Sequence, residues 1–163
     1  MIAHFPDARD LNRKPLSAFK PLFAMLAPPD LNTLAGVYEA AVTGPGWLRT
    51  SAVPSLALSG LGGWWGKEFT QADGSNLVLR DGQIQRVIPF QTTLTASAID
   101  GKPAIVVRYT QDCPFPWGYI FDEVRQIEAG RLLGMTLIDA AGLRRMAFPF
   151  LLERRAYGEI LNT

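Results

Sequence analysis

The chain has 163 residues, 48% of them hydrophobic, with 16 basic and 15 acidic side chains and a formal net charge of +1. That length and apolar content suit one globular domain over residues 1–163 with a core of its own. The near-neutral balance, with basic residues at most paired as in Arg144-Arg145 and Arg154-Arg155, lacks the footprint of a nucleic-acid or anionic-membrane partner.

Residues 1–14 are polar and read as irregular. Leu16, Phe19, Phe23 and Leu26 recur at helical spacing and predict a helix over residues 15–28, stopped by Pro28-Pro29. The apolar run within it, residues 21–27, is too short for a secretory leader or a membrane span, so a cytoplasmic protein without a membrane span is expected. Asp30 suits the N-cap of a short turn through Leu34. After Gly36 the texture becomes extended, with a first strand over residues 36–43 and a β-barrel-like domain over 35–155. Residues 54–61 suit a brief helix crossing one end of that domain.

From residue 67 onward tight reversals dominate. Asp73-Gly74, Asp81-Gly82 and Asp100-Gly101 lie between apolar or β-branched runs, and Asp-Gly accepts the positive φ that a two-residue hairpin turn requires. Residues 128–130 suit a three-residue loop and residues 139–142 a four-residue loop. Consecutive hairpins make a meander, and closure removes its edges. The expected fold is mainly β: an antiparallel up-and-down barrel or strongly curled sheet of about eight to nine strands with a short N-terminal helix. Pro149, which cannot donate to a ladder, marks a bulge or an edge in the last apolar run.

Counting outward from Asp100-Gly101 puts Leu94, Ala96, Ala98, Ile105, Val107 and Tyr109 on the inner face and Arg108 on the outer. The loops at 128–130 and 139–142 put Tyr119, Phe121, Glu123 and Arg125 on one face with Leu133, Met135, Leu137, Phe148 and Phe150. That face has the bulk of a core, yet a charge stripped of water must be paired. Glu123 and Arg125 then belong to a structural network, or a bulge turns them out, or Arg125 awaits an anionic group in a ligand cavity.

Cys113 and His4 are the single residues of their kinds. They exclude an internal disulfide, and they supply neither the usual zinc ligand set nor a nucleophile triad unless His4 folds back into a cleft. No metal or cofactor is expected.

Residues 36–40 (Gly-Val-Tyr-Glu-Ala) and 63–69 (Gly-Trp-Trp-Gly-Lys-Glu-Phe) resemble the bacterial GXWXG-motif family. In that family a Gly-x-Trp-x-Gly strand precedes a Gly-Trp-aromatic-Gly-Lys-x-Phe segment. Asp122-Glu123-Val124-Arg125, Leu133-Gly134-Met135 and residues 148–154 resemble its C-terminal region, so the likeness spans about residues 31–155. Tyr38 stands where the family has tryptophan, and Ala40 where it has the second glycine. The family carries no assigned reaction. The Gly-x-aromatic strand is also similar to that of lipocalin-like and fatty-acid-binding-protein-like barrels, which implies an apolar molecule held inside.

The leading expectation is a module that binds a small hydrophobic or amphiphilic ligand, with a carboxylate held by the forked guanidinium of Arg125. Its candidate site comprises Tyr38, Trp64, Trp65, Tyr109, Tyr119, Glu123 and Arg125; Lys67 could anchor an anion at the mouth. One alternative is an acid–base enzyme of isomerase or cyclase type using Asp122, Glu123 and Tyr119. Another is an interaction protein that forms a homodimer through residues 16–26.

Overall fold

The computed structural model describes residues 7–143 and 146–160; His4 and the Arg144-Arg145 pair lie outside them. Eight strands run in chain order: β1 Gly36–Val42, β2 Trp64–Phe69, β3 Asp73–Arg80, β4 Gln83–Ala96, β5 Pro103–Tyr109, β6 Ile120–Glu128, β7 Arg131–Ile138 and β8 Ala147–Arg155. Each pairs antiparallel with the next, and β8 pairs with β1 to close the barrel. Closure leaves no strand edge to be shielded.

The segment before β1 contains α1 Ala8–Asn12, a 3-10 turn at Leu16–Ala18, α2 Phe19–Ala24 and α3 Leu31–Leu34. The Asp30 carboxylate accepts from the Asn32 amide (2.8 Å) and caps α3 as expected. Residues 7–14 are less irregular than their polarity suggests: Asp7 caps α1, which sends Leu11 into the core; residues 1–6 of that stretch lie outside the described residues. Helix α4, Gly46–Leu58, starts eight residues earlier than the expected 54–61 segment and carries Pro54 within it. A final turn, α5, covers Tyr157–Ile160. Among the described residues no helix is long and apolar enough to cross a membrane.

The turns obey local chemistry unevenly. Asp81 and Gly82 both have positive φ (52° and 74°) and close the two-residue β3–β4 hairpin as Asp-Gly should. At Asp100-Gly101 the loop is longer. Ser97 N–H donates to Lys102, and the register slips by two residues. An even slip keeps every side chain on its expected face, so Tyr109 points inward and Arg108 outward. Leu94 lies beyond the covered interior and is exposed. Asp73-Gly74 is not a turn: Gly74 lies in β3 beneath the Phe90 ring, where a Cβ would sit 2.3 Å from it.

The β6–β7 pairing matches the expected one, with Arg125 opposite Leu133 and Glu123 opposite Met135. Its face is the reverse of the expected one. Two apolar layers exist where one was anticipated. The interior is filled by Tyr38, Phe69, Phe90, Ile105, Val107, Val124, Leu132, Phe150 and Leu152. The outer wall bears Leu133, Met135, Leu137, Val106, Phe121 and Leu151, packed under Leu11, Phe19 and Phe23 of the N-terminal segment. The bulk of Leu133-x-Met135-x-Leu137 is therefore bulk beneath a covering segment. The β7–β8 connection extends past 139–142, so Leu137 faces Ala147 rather than Arg144. An odd shift swaps faces, and Phe148 and Phe150 turn inward, away from Leu133 and Met135. Phe19 and Phe23, the stripe expected at a dimer contact, are fully buried against this barrel wall.

Candidate functional site

Helix α4 and the 3-10 turn Trp117–Tyr119 lie over the barrel end where β1, β5 and β7 finish and β2, β6 and β8 begin. Between them and the strands is a cavity of about 410 Å³. Its walls are apolar: Trp47, Leu48, Leu56, Trp64, Trp117, Phe148 and Phe150 contribute. Its floor is polar, formed by Lys67, Asn76, Tyr109, Asp122 and Thr136.

Strand register assembles that floor. Lys67 lies opposite Asn76 across β2–β3, and Asp122 opposite Thr136 across β6–β7; directly opposed inward residues bring their side chains together. The Lys67 ammonium, 1% exposed, donates to Asn76 Oδ1 (2.9 Å) and to the Tyr109 hydroxyl (2.9 Å), and lies 3.0 Å from Asp122 Oδ2. Tyr109 in turn donates to Asp122 Oδ2 (2.5 Å), and Thr136 to Asp122 Oδ1 (2.7 Å). Asn76 is held by donating to the Ile88 carbonyl (3.1 Å). Ile88 is the extra residue where the β3–β4 register shifts, and its positive φ of 47° is a conformation a β-branched side chain rarely adopts. Rings of Trp64, Phe90, Tyr109 and Phe150 surround the ammonium at 5.0 to 5.8 Å, a favourable setting for a cation on aromatic faces.

Burial pushes the Lys67 amine below the ordinary lysine range, and the Asp122 charge and hydrogen bond oppose that shift. Burial, then the Asp122 charge, hold the Tyr109 phenol well above its ordinary value, so it stays a donor. The cluster is an ion pair with a neutral phenol bridging it.

Four of the seven candidate residues fall in three places. Trp64 and Tyr109 line the cavity; Trp64 lies edge-on to Phe150 and donates to the Gly66 carbonyl. Tyr38 is inside but at the opposite end, where its hydroxyl donates to Leu34 and the Arg154 guanidinium lies over its ring, sealing that end. Trp65 falls at the register shift between Trp64 and Gly66, half-buried and outside the cavity lining.

Tyr119, Glu123 and Arg125 are corrected. Tyr119 is exposed and packs on Phe115, because the turn Trp117–Tyr119 interrupts the alternation that pointed it inward. Glu123 and Arg125 face the covered outer wall. Glu123 accepts from the Ser97 hydroxyl and the Ala98 amide. Arg125 makes a forked pair with Asp100 (2.6 and 2.8 Å) and donates to the carbonyls of Phe23, Lys102 and Pro103. Both fasten the β4–β5 loop, and Arg125 has no donor left for a ligand.

Asn76, Thr136 and Trp117 were not legible as site residues. Asn76 had a signal, as a polar residue alternating with Val78. Thr136 had none, because the expected parity put Leu133, Met135 and Leu137 inward and Thr136 outward. Trp117 had none, because its direction depends on the loop that precedes β6.

No family model matches the chain, and no curated protein does either. Among solved structures, a crystal structure of a protein from Thermomonospora curvata is similar in fold. The TM-score is 0.63 at 16% identity, over 86% of this chain and 87% of that one. That likeness shows the fold, not an activity.

Proposed function

We propose that the protein binds one small, largely apolar molecule in the cavity beneath α4, its polar end against the Lys67–Asp122–Tyr109 floor. The observation that carries this reading is the cavity itself: about 410 Å³, apolar walls and convergent polar groups at one end, the usual make-up of a small-molecule site. A carboxylate held by Arg125 has no support, because Asp100 already fills that fork. Under this reading the chain is a divergent relative of the GXWXG-motif proteins, and the lysine of its Gly-Trp-Trp-Gly-Lys segment forms the binding floor.

The test is native mass spectrometry of protein purified from its own host, alongside titration with the neutral dye N-phenylnaphthylamine. A co-purifying mass lost on denaturation, or saturable dye fluorescence, is expected. A bare chain mass together with no dye binding would overturn the reading.

One observation favours a second reading, acid–base catalysis. Asp122 lies at the polar end of an otherwise apolar cavity, hydrogen-bonded to the Tyr109 hydroxyl (2.5 Å). A catalyst would convert its co-purified molecule, and Asp122→Asn would keep binding while stopping turnover. An unchanged bound molecule over many protein equivalents argues for binding alone.

A further inference from the structure

The cavity floor also bears on the chemical class of the ligand, an inference that rests on the binding reading above. We infer that this site takes an apolar molecule with a neutral hydroxyl head and excludes the matching carboxylate, because Asp122 is a built-in counter-anion. A buried cation at the end of an apolar cavity ordinarily invites an anionic ligand. Here Lys67 has a hydrogen-bond or ion-pair partner for each of its three N–H groups: Asn76, Tyr109 and Asp122. Lys67 and Asp122 are the two charged residues among the described lining, so the floor is already balanced. A ligand carboxylate would add an uncompensated buried charge beside Asp122.

The floor's remaining capacity is to accept. Asp122 takes one bond from Thr136 on Oδ1, and those from Tyr109 and Lys67 on Oδ2. An ionised carboxylate has about four acceptor sites. Thr136 donates to Asp122, which leaves its own oxygen to accept. A neutral hydroxyl supplies one donor for either of these acceptors, and a carboxylate supplies none. Ser51 and Ser55 on α4 donate to helix carbonyls instead of competing for it.

Displacement of bound N-phenylnaphthylamine by decanol and by decanoate tests this. On the wild-type protein decanol should compete at least about tenfold better, and decanoate should improve as pH falls through its own carboxyl pKa. Asp122→Asn leaves Lys67 without its anion and should reverse the order. Should that variant fail to fold, the wild-type ranking and its pH dependence decide. Equal or better competition by decanoate at neutral pH sinks the inference while the dye signal keeps the cavity reading. Absence of dye binding together with a bare chain mass in native mass spectrometry removes the cavity reading itself.

Discussion

Lys67→Met leaves the Asp122 carboxylate buried beside Tyr109 and Thr136 without its cation. Breaking a buried pair by removing one partner costs about 3–5 kcal/mol, and urea unfolding should show that loss. The double variant Lys67→Met/Asp122→Asn removes both charges and should recover most of it. A double variant no more stable than the single one would mean that the ion pair is not what holds the floor. Thr92 is the opposite case: its buried Oγ1 has no hydrogen-bond partner among the described residues. Thr92→Val should therefore raise stability by about 1 kcal/mol, read as a shifted urea midpoint at unchanged slope. Asp100 supplies a pH prediction. Its bonds to Arg125 hold its carboxyl at about 2, below the ordinary 3.8. A depressed folded-state pKa contributes stability present above the unfolded value and lost as pH falls through the folded one. The Asp100 contribution should thus fade between pH 3.8 and about 2, and Asp100→Asn should flatten that limb of the stability curve.

Element behaviour follows from where each piece finds its partner. Strand β2 passes so close to β1 that a Cβ on Gly66 would lie 1.9 Å from the Tyr38 carbonyl oxygen. Gly66→Ala should cost about 3 kcal/mol or abolish soluble protein, since backbone cannot move aside as a side-chain tip can. Helix α4 has a single charged side chain, Arg49, and presents Ser51, Ala52 and Ser55 to the cavity. Small residues on that face leave the volume open. Ala52→Trp should fill it and weaken dye binding by about tenfold or more with little change in stability; calorimetric titration and thermal unfolding together decide. Full binding in that variant would locate the dye elsewhere.

At the scale of the molecule, the N-terminal segment is part of the fold rather than an appendage. Leu11, Phe19 and Phe23 are fully buried on the barrel wall, the Ala27 carbonyl accepts from Gln126, and the Phe23 carbonyl accepts from Arg125. Phe23→Ala should cost about 3–5 kcal/mol, in the range of a core phenylalanine. The barrel wall therefore has two covered sides over β6 and β7, and this is why β7 reads as almost continuously apolar, while Asp122, Glu123 and Arg125 of β6 are buried with hydrogen-bonded partners.

Local chemistry in the sequence determined the class of fold: alternating strands, Asp-Gly at the β3–β4 hairpin, the Asp30 cap, and the inward parity of Tyr109. Those signals act over a few residues, so they survive a slip of two. The outward parity of Arg108 followed from the same short-range rule. Which apolar face was the interior was a decision of the tertiary structure. A strand buried on both sides gives no sequence contrast between them, and the covering segment lies about a hundred residues earlier in the chain, as the Phe23–Arg125 bond shows. The same long-range packing took Arg125 out of any cavity and brought Lys67 and Asp122 together across the barrel. No spacing along the chain encodes that meeting, because it exists only once the barrel closes.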